Sequence, residues 1–296
     1  MKIAIFNGFA FHYEMFGYII DYCLSKNIEL DIYTVNVYDI NWLEYYNLFF
    51  HKNINYYPIN RFNYIINDYN VVILTTDDEK LYNIELNKNK LICIDHCYNN
   101  RRPYVPIHIG TRFYHTRPDL DYALPVYRIM RLQNKKELLK NVKQTNILCI
   151  GKYNCQDTID TLKKRFNNFN ELNFIFIDRY LNDFCTLDEP NIKKYNRLNT
   201  VNMIGLLAQS HYVYISMVHL DHIAKSMSGA IPLAFNCLCQ LIMPKEMNKY
   251  YNFKSAITYT KNESITLSTY DCDIVDVELE ELLYHKYKIF DKYITE

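Results

Sequence analysis

Ile3 to Phe6 is a short apolar run that stops at Asn7-Gly8. Phe11, Met15, Phe16, Ile19, Ile20, Cys23 and Leu24 then recur at the spacing that lines one face of a helix. After Lys26-Asn27 the segment IELDIYTV carries apolar Ile28, Leu30, Ile32 and Val35 with β-branched Thr34. Strand, helix and strand inside the first 35 residues make the repeating unit of a parallel sheet with right-handed crossovers, which sets the fold class as α/β. The pattern continues with helical NWLEYYNLFF, a short INYYPI run, a helix expected around Arg61 to Asp68, and strands in VVILTTDD and LICID. Apolar segments of this length ending in polar groups are what buried parallel strands look like. From Cys97 to Arg131 the character changes, with Pro103, Pro106, Pro118 and Pro125 among many Arg and Tyr, and this stretch reads as loop and short extended pieces.

The βαβ pattern then restarts. A polar helix, NKKELLKNVK, leads to a strand TNILCIG, a helix from Thr158 to Phe169, a strand FIFID, the helical VNMIGLLAQS, a strand YVYIS, a helix over about 221 to 238 and a strand QLIMP. VDVELEELLYHKYKIFDKYI closes the chain as an amphipathic helix expected to pack back onto the first domain. The sequence therefore predicts two Rossmann-like domains in tandem, 1–134 and 135–296, with the ligand cleft between them; 296 residues suffice for two cores.

Composition removes several alternatives. A 49% hydrophobic content with only 6 Gly excludes disorder and collagen-like repeats. Lys+Arg and Asp+Glu both number 33, which argues against a dedicated nucleic-acid binder. The 9 Cys are odd in number and sit mostly in apolar runs, as reduced core residues do, and no pair has the C-x-x-C spacing of a zinc site, so no metal is expected. Asn7, His12 and Glu14 interrupt the N-terminal apolar stretch, which does not read as a signal peptide, and no apolar run reaches the length of a membrane span. Abundant Tyr, 29 in all, reads first as AT-rich codon bias, as in a parasite or large DNA virus, and second as a stacking surface for sugars or bases. A cytoplasmic location is expected.

Ligands of open parallel sheets bind at the carboxyl ends of strands, where helix N-termini expose unpaired N–H groups. Gly8, followed by His12, allows close backbone approach there, although G-x-G-x-x-G is absent and no dinucleotide cofactor is indicated. Gly151-Lys152 after strand ILCI joins a small residue to a cation, a suitable cradle for a diphosphate. Asp95-His96 after LICID pairs a carboxylate with an imidazole that titrates near neutral pH, the residue types of an oriented general base. His108 and His115 follow in the next loop as weaker candidates. Ser228-Gly229 falls where a helix is expected to begin and suits a phosphate.

The run from Val201 to Pro244 resembles the C-terminal domain of GT-B fold glycosyltransferases. Leu206, Leu207, Ala208 and Ser210 match that family's helix, Tyr212 to Ser216 its strand, Gly229 its glycine and Leu241 to Pro244 its last strand, while Gly151-Lys152 is similar to its Gly-Arg/Lys turn on the donor diphosphate. Ser226 and Ala234 stand where many retaining members carry two glutamates, so the resemblance does not specify the donor. It implies a glycosyltransferase that moves a sugar from a nucleotide-sugar to a hydroxyl acceptor without a metal. Lys152, Ser228 and Gly229 would hold the diphosphate with Lys225 in support. His219, Asp221 and His222 would touch the sugar, and His12 or His96 with Asp95 would serve the acceptor, a glycan. The C-terminal helix could also make a homodimer contact. The alternative is a non-catalytic protein of the same fold that binds a nucleotide or glycan. A sugar epimerase of the dinucleotide-dependent kind is disfavoured by the missing Gly-rich fingerprint.

Overall fold

The computed structural model describes residues 1–8, 14–35, 51–64, 68–75, 91–96, 105–113, 117–129, 134–151, 155–178, 189–196, 198–216, 227–267 and 269–295. The chain forms two compact units, Met1–Met130 with Lys225–Met227 and Glu281–Glu296, and Arg131–Ala224 with Ser228–Glu280.

In the first unit the alternation of apolar run and amphipathic helix produces β1 (Lys2–Asn7), α1 (Glu14–Ser25), β2 (Glu29–Thr34), β3 (Ile54–Pro58), β4 (Val71–Leu74), β5 (Leu91–Asp95) and β6 (Ile107–Gly110). All six strands are parallel, in the order β3-β2-β1-β4-β5-β6. The central strand β1 is flanked on both sides, with Ile5 level with Ile32 and with Ile73, so it reads as a continuous apolar run. α1 ends where Asn27 takes a left-handed φ of 54°, which brings the Ile28 N–H onto the Cys23 carbonyl at 2.9 Å and the Asn27 N–H onto Leu24 at 3.1 Å.

One expectation for this unit is corrected. The helix expected around Arg61 to Asp68 is a 3₁₀ turn, Ile59–Tyr64, whose side chain Phe62 is buried against Phe6 and Tyr33. Within the stretch from Cys97 to Arg131, read as loop and short extended pieces, Ile107–Gly110 is the sixth strand. It is an edge strand that begins directly after Pro106, and an edge is where the sheet tolerates a residue without an N–H. The helix expected at 41–50 lies outside the described residues.

In the second unit the chain forms α2 (Lys135–Leu139), β7 (Thr145–Ile150), α3 (Cys155–Arg165), β8 (Leu172–Asp178), β9 (Ile192–Asn196), α4 (Thr200–Ala208), β10 (Tyr212–Tyr214), α5 (Ala230–Asn236), β11 (Gln240–Pro244), α6 (Lys245–Asn248) and β12 (Ile257–Tyr259). The order is β12-β11-β10-β7-β8-β9, again all parallel. Counted from its own first strand this is the order of the first unit, with β7 in the place of β1 and β10 in the place of β4. The core gathers Ile147, Cys149, Phe166, Phe174, Phe176, Tyr212, Tyr214 and Ile242. Asn199 caps α4 by accepting the Asn202 N–H at 2.8 Å.

β9 and β12 were not expected from the sequence. Both are edge strands: β9 reads IKKYN with its lysines partly or fully exposed, and β12 is only three residues. α3 starts three residues before the expected Thr158 and stops at Arg165; a separate 3₁₀ turn covers Phe169–Glu171. Of the helix expected over 221 to 238, Ala230–Asn236 is described.

The last helix, α7 (Cys272–Phe290), begins in the second unit and ends in the first. In the second unit its buried Glu278 accepts the backbone N–H groups of Lys254 at 2.7 Å and Ser255 at 2.9 Å, and the Ser255 hydroxyl. In the first, buried Lys286 donates to Asp21 of α1 at 2.5 Å and to the Val126 carbonyl at 3.1 Å. Phe290 packs on Tyr18 and Tyr22 with ring centroids 5.0 and 5.1 Å away. Among the described residues no helix is long and apolar enough to cross a membrane.

Candidate functional site

In each unit the strand order reverses direction beside the first strand, between β1 and β4 and between β7 and β10. Chains leaving those neighbours turn to opposite faces, which opens a crevice at the carboxyl ends of the strands. Gly8 directly follows β1 and Thr75 follows β4, where the Thr75 N–H donates to the Phe6 carbonyl at 3.1 Å. His96 follows β5, and its Nε2 lies 2.8 Å from the Thr75 carbonyl. A carbonyl only accepts, so Nε2 carries the proton and the lone pair of the neutral ring is on Nδ1. The backbone of β4 thus orients the imidazole at the reversal point of the first sheet.

Asp95, one residue earlier, does something different. Its carboxylate has no solvent exposure and accepts from His108 Nδ1 at 2.9 and 3.2 Å and from Arg117 Nη1 at 2.9 Å. The Cys93 thiol lies two residues back on the same face of β5, and burial together with the Asp95 charge holds that thiol well above its ordinary pKa. The Asp95 carbonyl is in turn held by the Thr111 N–H at 3.1 Å and the Thr111 hydroxyl at 3.2 Å. The expected pairing of Asp95 with His96 is therefore replaced by Asp95 with His108 and Arg117, and by His96 with Thr75. Successive strand residues point to opposite faces, so Asp95 reaches across to β6, where His108 stands level with Cys93.

In the second unit Gly151 ends β7 with φ of 131°, a conformation that L side chains rarely adopt, and its N–H donates to the Ile177 carbonyl at 3.1 Å. Gly229 stands at the N-terminus of α5, with the Ser228 carbonyl accepting the Ile231 N–H at 3.1 Å. Buried Ser216 lies just past β10. Gly151 therefore stands at the reversal point of the second sheet, and Ser228-Gly229 opens the helix between β10 and β11. His12, His115, Lys152, His219, Asp221, His222 and Lys225 lie outside the described residues. Thr75 and Arg117 were missed by the sequence reading, and His108 was ranked low. Nothing in their local sequence marks them, because each contributes through a neighbour on another strand.

No protein-family model matches the chain, and no curated protein does. Solved structures do. AviGT4, a glycosyltransferase involved in avilamycin A biosynthesis, superposes with a TM-score of 0.63 over 99% of this chain and 97% of its own, at 10% identity. Anabaena HepE in complex with UDP and glucose gives a TM-score of 0.53 over 99% and 95% at 11% identity. The UDP-GlcNAc 2-epimerase from Neisseria meningitidis bound to UDP-GlcNAc gives 0.52 over the full length of both chains at 10% identity. The chain has the GT-B fold of two Rossmann-like domains.

Proposed function

We propose that the protein is a cytoplasmic glycosyltransferase that moves a sugar from a nucleotide-sugar donor to a hydroxyl acceptor on a glycan, with no metal needed at the donor diphosphate. The observation that carries this reading is His96: an imidazole held by the Thr75 carbonyl at a sheet reversal point, with its basic nitrogen defined as Nδ1. Such a group can take the proton of an acceptor hydroxyl as the bond to the sugar forms. Asp95 has both oxygens occupied by His108 and Arg117 and is assigned a supporting role, fixing the end of β5 from which His96 projects. Gly8 admits the acceptor close to the backbone, and His12 joins it.

On the donor side, Gly151 lets the chain turn tightly after β7 and presents backbone to a diphosphate, for which Lys152, Ser228, Gly229 and Lys225 supply charge and N–H groups. Asp221 and His222 contact the sugar. The GT-B neighbours that carry UDP or a UDP-sugar support a nucleotide-sugar as the ligand.

The test is a thermal-shift screen with UDP, GDP, CMP, ADP and dTDP and their sugars, with and without divalent metal, followed by sugar-transfer assays. A ligand at a hundred times its Kd adds about 2.7 kcal/mol of apparent stability. We expect one diphosphate to raise Tm without metal, the shift to vanish in Lys152→Ala, and transfer to vanish in His96→Ala while the donor shift stays. No nucleotide response from a folded sample would sink the reading in favour of a binding or scaffold protein. A second reading rests on the full-length likeness to a UDP-GlcNAc 2-epimerase: conversion of a UDP-sugar to its epimer without acceptor, seen by NMR, would replace transfer with epimerisation.

A further inference from the structure

We infer that Cys93, Asp95 and His108 form a binding site in the first unit for one divalent transition-metal ion of the zinc class. The Cys93 thiol, an Asp95 carboxylate oxygen and a His108 ring nitrogen all lie within 4.8 Å of one another. The sheet, not a sequence motif, brings them together. Cys93 and Asp95 alternate onto one face of β5, and parallel pairing sets His108 of β6 level with Cys93. No C-x-x-C spacing marks such a site, because two ligands come from one strand and the third from its neighbour.

The chemistry of the set is selective. Thiolate, imidazole and carboxylate together suit zinc-class ions, whereas magnesium and calcium take oxygen ligands. Without an ion, the imidazole Nδ1–H directs its proton at the Asp95 carboxylate, while the thiol faces the Ile94 carbonyl at 3.9 Å. An ion would take the place of the Nδ1 and thiol protons. The thiol proton leaves to solvent, and the Nδ1 proton of the neutral imidazole passes by way of solvent to Nε2, which turns the Nδ1 lone pair inward. The thiolate then offsets part of the charge of the ion, and the Asp95 carboxylate is shared between the ion and Arg117. Arg117 donates to Oδ2, the outer-sphere support that ligating carboxylates usually have. His108 Nδ1 and Asp95 Oδ1 are 2.9 Å apart, so the ring must withdraw by a few tenths of an ångström to admit bonds of about 2.0 Å to each. Three protein ligands leave a fourth position for water.

The three ligands are not residues of the donor turns, and the inference does not rest on the transferase reading. Its test uses the whole chain, stripped with chelator and dialysed against zinc or cobalt alone. We expect one ion per chain by elemental analysis, and in the cobalt form a thiolate-to-cobalt charge-transfer band. That band should survive in Cys272→Ala, whose thiol lies elsewhere, and disappear in Cys93→Ser. In His108→Gln the affinity should fall about tenfold or more. Circular dichroism of the metal-free variants establishes that each is folded, and two independent ligand variants keep the test decisive if one is not. No stoichiometric ion in the wild-type chain overturns the inference, and so does an unchanged cobalt spectrum in folded Cys93→Ser.

Discussion

Lys135, wholly buried in the second unit, donates to the carbonyl oxygen of Cys237 at 2.8 Å. The same ammonium reaches the Leu207 carbonyl at 2.7 Å and the Cys239 sulfur at 3.2 Å, which uses all three of its donors. Leu207 and Cys237 lie at the C-terminal ends of α4 and α5, where carbonyls lack intrahelical partners and the helix dipole is negative. Between Cys237 and Cys239 the chain turns through Leu238 at φ 51°, a left-handed position usually given to glycine, with the Cys239 N–H on the Ala234 carbonyl at 2.8 Å. Lys135→Met keeps most of the buried stem and removes the charge. Two helix ends then lose the ammonium that joins them, while Leu207 keeps the Ser210 N–H at 3.1 Å, and urea unfolding should show a loss of about 2–4 kcal/mol. Wild-type stability in Lys135→Met would show that the ammonium is dispensable.

His211 gives the fold a pH dependence. Burial, and secondarily the charge of Lys135, pushes its pKa down from 6.5 to about 4, while its Nδ1 accepts the Asn146 N–H at 3.1 Å. The folded ring stays neutral where the unfolded ring takes a proton. The contribution is therefore complete above pH 6.5 and is lost as pH falls toward 4. Between those limits Tm should decline more steeply with falling pH in the wild type than in His211→Gln, and parallel curves would contradict this origin.

Gly17 and Tyr127 are packed so closely that any side chain at 17 collides. A Cβ there would lie 2.5 Å from two ring atoms of Tyr127. Gly17→Ala should cost about 1–3 kcal/mol through overpacking, and less when combined with Tyr127→Leu. Strict additivity of the two changes would mean that the ring is not the obstacle.

Gly151 and Gly205 should respond oppositely to the same change. Gly151 sits at φ 131°, so Gly151→Ala should lose about 1–3 kcal/mol of stability. Gly205 lies inside α4 with nothing within 4 Å of an added Cβ, so Gly205→Ala should gain about 0.5–1 kcal/mol from helix propensity. Calorimetry on the two variants separates these signs.

Strands buried on both sides were legible because a central parallel strand must be apolar throughout. Ile3 to Phe6, Val71 to Leu74 and Ile147 to Ile150 carry that requirement in consecutive residues, and the amphipathic helices between them carry the crossovers. The edge strands β6, β9 and β12 were not legible. One neighbour and one covered face demand less, so Pro106 can precede β6 and Lys193 and Lys194 can sit in β9. The same division runs through the candidate site. That Gly151 must turn sharply after a strand, and that Asp95 and His96 end another, was written in the order of residues. Which group each side chain meets was decided by tertiary structure alone: His96 by the β4 backbone, Asp95 by His108 and Arg117, Lys135 by two helix ends. Periodicity fixes which face a residue takes, whereas the neighbour it finds there depends on strand order and register, set by contacts between residues far apart in the chain.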